Sequence, residues 1–104
     1  MIDQRFHVIG KFIPFDFETI TVATTAIGLT ASKLISSPKP KRAYITVETA
    51  QCRFRYDGTD PSSTVGHLLV PTSSILVEGY TQLNNIKFIR TGTTSATLQV
   101  TYLR

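Results

Sequence analysis

Apolar and polar residues alternate without interruption near the end of the chain. Ala96, Leu98, Val100 and Tyr102 fall on one face, and Thr97, Gln99 and Thr101 on the other. A period of two marks a half-buried strand. The same period recurs at 43–48, where Tyr44, Thr46 and Glu48 oppose Ile45 and Val47, and at 52–56, where Cys52, Phe54 and Tyr56 oppose Arg53 and Arg55. Shorter β-type runs lie at 68–70, 75–77 and 86–89. Turn clusters separate them: Asp57-Gly58-Thr59-Asp60-Pro61, Pro71-Thr72-Ser73-Ser74, Glu78-Gly79 and Thr91-Gly92-Thr93-Thr94. Short strands punctuated in this way predict an all-β protein, a single antiparallel β-sandwich or jelly-roll-like domain with little or no helix.

The first half is less regular. Residues 18–26 read as a strand, with Ile20 and Val22 on one face and Thr19 and Thr21 on the other. A helix has one possible place, 26–36, where Ile27, Ala31, Leu34 and Ile35 have helical spacing. Gly28, Leu29 and the Ser and Thr residues weaken that pattern, so the segment is expected to be irregular or strand. Residues 36–41 form a Pro-rich loop. The runs at 43–48 and 50–56 lie so close that they are readable as one long strand with a kink or bulge. Residues 1–17 stand apart, with Phe6, Val8, Ile9, Phe12, Ile13, Phe15 and Phe17 interrupted by Gly10 and Pro14. Proline argues against a central strand or a helix interior. Residues 1–17 are therefore expected to be an edge strand or an arm reaching a neighbouring subunit, with 18–104 as the sandwich. So many apolar side chains are costly to leave in water, which favours their taking part in a homo-oligomer.

Composition agrees with the pattern. Val, Ile and Thr make up about a third of the 104 residues, and β-branched side chains suit strands. One cysteine excludes an internal disulfide framework. No secretory signal opens the sequence, and no run approaches the roughly 20 apolar residues of a membrane-spanning helix. The expectation is a soluble protein made in the cytoplasm, with no membrane partner.

The net charge is +4, but the basic residues are dispersed apart from Lys39-Pro40-Lys41-Arg42. Nucleic-acid binding calls for a focused basic stripe with stacking aromatics. Phe54 and Tyr56 instead alternate with Arg53 and Arg55, which predicts a core-facing aromatic edge and a solvated basic one. The 39–42 cluster reads as a charged loop or a contact to an acidic protein surface, and no nucleic-acid partner is expected.

Candidate chemistry is thin. Cys52 and His67 are the one conceivable nucleophile–base pair. Cys52, however, is in phase with Phe54 and Tyr56 and is expected to be buried and inert, and His67 is expected to be structural. Asp57 and Asp60 sit in a Gly/Pro loop where turn chemistry accounts for both. They fall well short of the 6–8 oxygens calcium takes. No metal or cofactor motif stands out, so no catalytic residue, cofactor or metal site is assigned and an enzyme is not expected.

The runs Cys52-Arg53-Phe54-Arg55-Tyr56-Asp57-Gly58-Thr59-Asp60-Pro61, Gly66-His67-Leu68-Leu69, Ile86-Lys87-Phe88-Ile89-Arg90-Thr91-Gly92 and 96–102 resemble a group of small tailed-bacteriophage virion structural proteins. The resemblance covers about half the chain. It implies a non-enzymatic virion component, foremost a capsid decoration (cement) protein. Such a protein would form symmetric contacts with itself and with another virion protein, the major capsid protein first among them. The alternatives are a tail or baseplate component, or a receptor- or carbohydrate-binding module. The carbohydrate reading requires Tyr44, Tyr56 and Tyr80 to face solvent. Phe6, Phe12, Phe15, Lys39, Lys41 and Arg42 are the expected partner-contact residues.

Overall fold

The computed structural model describes residues 12–104. Eight strands and two short helices follow one another: β1 (Pro14–Val22), β2 (Ile27–Gly28), α1 (Ala31–Ile35), β3 (Arg42–Glu48), β4 (Cys52–Arg55), β5 (His67–Leu69), β6 (Ser74–Glu78), α2 (Tyr80–Asn85), β7 (Lys87–Arg90) and β8 (Ala96–Leu103). They build two four-stranded antiparallel sheets, in the orders β1-β8-β3-β6 and β2-β7-β4-β5. The expected all-β, sandwich-like fold is the one observed.

The alternation at the end of the chain sets the first sheet. Ala96, Leu98, Val100 and Tyr102 are fully buried. Leu98 lies opposite Ile20 on β1 and Val47 on β3, and Val100 opposite Ile45. Ile20, Val22, Ala43, Ile45 and Val47 join the same core. From the second sheet, Cys52, Leu69 and Phe88 close it, with the Phe54 and Phe88 rings 6.1 Å apart.

Four local features depart from the sequence expectation. First, β1 begins at Pro14, so the strand runs through the expected boundary between 17 and 18. β1 is an edge strand, and Pro14 is its first residue, where a missing N–H costs no ladder bond. A register shift between Pro14 and Asp16 turns Phe15 onto the core. Second, 43–48 and 50–56 are not one strand. Thr49 takes a left-handed φ of 76°, and β4 starts in the opposite sheet. Third, the 26–36 segment holds both β2 and α1. Fourth, α2 had no sequence signal. Each helix has only five or six residues, buries one leucine (Leu34 or Leu83), and carries the chain from one sheet to the other.

Substituting Leu98 with alanine removes a side chain packed against both neighbouring strands. The expected cost is about 3–5 kcal/mol, read as a lower urea midpoint with the far-UV β signature retained.

Candidate functional site

The residues expected to contact a partner separate into three groups. Phe6 lies outside the described residues. Phe15 is turned inward onto the core, with the Arg104 guanidinium 5.5 Å from its ring. The rest meet at one end of the first sheet. The Arg42 guanidinium lies 3.5 Å above the Phe12 ring and pairs with Glu78 at 2.9 Å. Lys39 Nζ is 5.2 Å from the Tyr80 ring. Lys41 keeps its side chain exposed while its backbone bonds Leu103 and Gly79. Exposed ion pairs and cation–π contacts are each worth about 0–1 kcal/mol. The cluster thus shapes a surface far more than it stabilises the fold.

Beside it spreads the outer face of the first sheet. Register places Phe17, Thr101, Tyr44 and Leu76 in one row across four strands, and Thr19, Gln99, Thr46 and Ser74 in the next. Thr19 donates to Gln99 Oε1 at 2.7 Å, and Gln99 Nε2 donates to Glu48 at 3.2 Å. Phe17 and Leu76 are 54% and 46% exposed, which makes this a flat hydroxyl-rich face with large apolar side chains left in water. The alternation carried this signal, since Phe17 is in phase with Thr19 and Thr21. Reading 1–17 as a separate segment concealed it.

The second sheet corrects the expectation for 53–56. Arg53 is not simply solvated: Nε donates to Ser63 O at 3.2 Å and Nη1 to Gly66 O at 2.9 Å, pinning the loop before β5. That loop approaches closely because Gly66 has no side chain; with φ +137°, a Cβ there would meet Phe54 O at 3.0 Å. Arg55 pairs with Asp57, whose carboxylate also accepts from the Thr59 amide, and both contacts hold Asp57 below the usual carboxylate range. Asp60 lies 3.5 Å from Lys87. Asp57 therefore has the turn role its loop predicted, and Asp60 pairs with a β7 cation. Tyr56 is 52% exposed, because the sandwich opens where β4 ends.

Cys52 and His67 do not form a pair. Register sets Cys52 opposite Leu69 and Arg90, and His67 opposite Phe54. His67 packs with the Phe54 and Tyr56 rings at 5.2 and 6.2 Å. Burial pushes the Cys52 thiol up to about 11, far from the thiolate a nucleophile needs. A groove of about 300 Å3 opens beside this aromatic cluster, lined by Phe54, Tyr56, Ile75, Leu76, Val77, Glu78, Gln82 and Ile86.

A polar tie went unnoticed in the sequence. Glu18 on β1 accepts from the buried Tyr102 hydroxyl and from the hydroxyl and amide of Thr30, just before α1. Burial, and then the Glu18 carboxylate, push the Tyr102 phenol well above its ordinary value.

Among the described residues, no group of three or more His, Cys, Asp or Glu side chains is placed to hold a metal ion. No described helix is long and apolar enough to cross a membrane. No known family model matches the chain, and no curated protein or solved structure matches it either.

The two raised groups set an alkaline limit. Unfolded, a thiol and a phenol release their protons near 9.0 and 10.0. The native state holds both protons beyond those values, so the unfolded state binds fewer and stability falls as pH rises past 9. Urea midpoints should be flat from neutral pH to about 9 and then decline, and Tyr102→Phe should make the decline shallower.

Proposed function

We propose that this protein is a non-enzymatic structural component of a tailed-bacteriophage virion, a head decoration protein that binds the capsid surface as a homo-oligomer. The observation that carries the reading is the outer face of the first sheet. It is a broad strand surface with Phe17 and Leu76 exposed, Thr and Gln between them, and Lys39 and Lys41 at its end. Flat faces of this kind suit symmetric contacts with a second copy or a shell protein, because each contact is repeated at every symmetry-related site. The resemblance of 52–61 and the later runs to small virion proteins supports the same reading.

Phe12 and Phe15 are occupied within their own protomer, so the contact residues shift to Phe17, Leu76, Lys39 and Lys41. A binding module at the tail tip is the second reading. It is favoured by one observation: Tyr56 and Tyr80 are exposed, as stacking on a sugar requires, although Tyr44, the third ring that reading calls on, is only half-exposed.

Gold-labelled antibody on purified particles separates the two, with label expected over the head surface and label confined to the tail contradicting the decoration reading. For the contact face, a Phe17→Asp/Leu76→Asp double variant should keep its melting temperature within a few degrees, since neither side chain is in the core. It should bind particles at least about tenfold more weakly, the loss expected when large apolar contacts at an interface centre are replaced by charge. Undiminished binding would move the contact face elsewhere.

A further inference from the structure

One end of the sandwich holds a charge that its surroundings leave unanswered. β1, β3, β5 and β7 finish there, and β2, β4, β6 and β8 start there. Four loops join them, at 23–26, 49–51, 70–73 and 91–95. These loops are rich in Thr and Ser and contain no charged residue. The one carboxylate at the strand ends here is Glu48, which lies on the outer face and accepts from Gln99.

Arg90, the last residue of β7, is the cation at this end, and it faces inward. It is two residues from Phe88 and lies opposite Cys52, and both of those side chains are in the core. Its backbone amide ties the strand end to Ala23 O at 3.1 Å. Its Nη1 donates to Ser95 Oγ at 3.3 Å, a long bond. Its Nε is buried without an acceptor, and no carboxylate pairs with it among the described residues. The other arginines differ. Arg42 and Arg55 have Glu78 and Asp57, Arg53 has two loop carbonyls, and Arg104 lies over Phe15. A guanidinium offers five donors, and a charge drawn toward the core without a counter-charge is costly.

We propose that this end of the sandwich is a carboxylate-binding site anchored by Arg90. The guanidinium is half-buried, so part of it stays open to solvent and to a ligand. A carboxylate can take two of its N–H groups side by side and supply the missing charge. The 91–95 loop follows Arg90 directly and returns to it through Ser95. Thr91 and Ser95 bring hydroxyls, and the amides of Gly92, Thr93 and Thr94 donate to no described group, which leaves neutral donors beside the cation. The charge count selects the ligand. One guanidinium among neutral loops balances a monoanion, whereas a phosphate carries about −1.5 to −2 at neutral pH. The site is separate from the sheet face of Phe17 and Leu76, and neither reading depends on the other.

The test titrates the full-length protein with acetate, replacing chloride at constant ionic strength, and follows the arginine Nε–H signals by NMR. The Arg90 signal should shift along a saturable curve with a midpoint in the millimolar range, while that of Arg55, already paired with Asp57, stays in place. Saturating acetate should raise the melting temperature of the wild type and leave that of Arg90→Met unchanged, because a ligand stabilises only the state that binds it. A second titration uses N-acetylglutamate amide, which carries its carboxylate on a side chain. Tighter binding than acetate assigns the site to an acidic side chain of a partner protein. Weaker binding assigns it to a small free acid. A linear drift shared by Arg90 and Arg55 would be ionic screening and would overturn the proposal. So would an acetate response undiminished in Arg90→Met, or saturation by inorganic phosphate at lower concentration than by either carboxylate. If Arg90→Met does not fold, the wild-type NMR titration decides alone.

Discussion

The structure depends on β8. Among the described residues it is the one strand hydrogen-bonded along its full length on both sides, to β1 and to β3, and each of its four inward side chains is completely buried. Removing strand-to-strand order here would leave β1 without its one partner among the described residues and β3 with β6. The inward row carries the hydrophobic driving force, since a large side chain fully buried contributes about 1.5–3 kcal/mol. Tyr102 adds direction to it. Its ring fills the core while its hydroxyl finds Glu18, and a buried phenol without a partner would be costly. Glu18 in turn holds Thr30, so one carboxylate joins β1, β8 and the approach to α1.

The alternation that builds the core also builds the outer face. When Ile20, Val22, Ile45, Leu98 and Val100 turn inward, Thr19, Thr21, Thr46, Gln99 and Thr101 must turn outward. Threonine keeps strand propensity without apolar exposure, which explains a water-facing sheet this rich in it. Phe17 and Leu76 break the rule on that face. The other side of the molecule is organised differently: Arg53 and Arg55 are spent on fixing loops, and the aromatic cluster of Phe54, Tyr56 and His67 walls the groove.

The sequence made the strands with clean period two legible, because burial on one face and solvent on the other impose that period directly. Residues 96–102 and 43–48 and the burial of Cys52 are read from it without help. What stayed hidden was set by backbone geometry or by tertiary context. α2 is too short for a helical period to appear, and its Leu83 is buried only because the helix bridges two sheets. The switch between sheets at Thr49 depends on a left-handed φ that β-branched residues rarely adopt, so no propensity announces it. Tyr56 is in phase with the core yet half in water, because periodicity gives the face a side chain takes and not where the opposing sheet stops. The candidate contact face was half visible: the basic cluster and Phe12 were singled out, Phe15 turned inward at a register shift no pattern predicts, and Phe17, though in phase with Thr19, was hidden by treating 1–17 as a separate segment.

The central claim, that the outer face of the first sheet is the surface this protein uses to assemble, is most directly tested by hydroxyl-radical footprinting of the free protein and of the protein bound to particles. The account predicts that oxidation of Phe17, Tyr44 and Leu76 falls on binding while Leu68 on the opposite sheet is oxidised as before. Protection of Leu68 with Phe17 and Leu76 unchanged would contradict it.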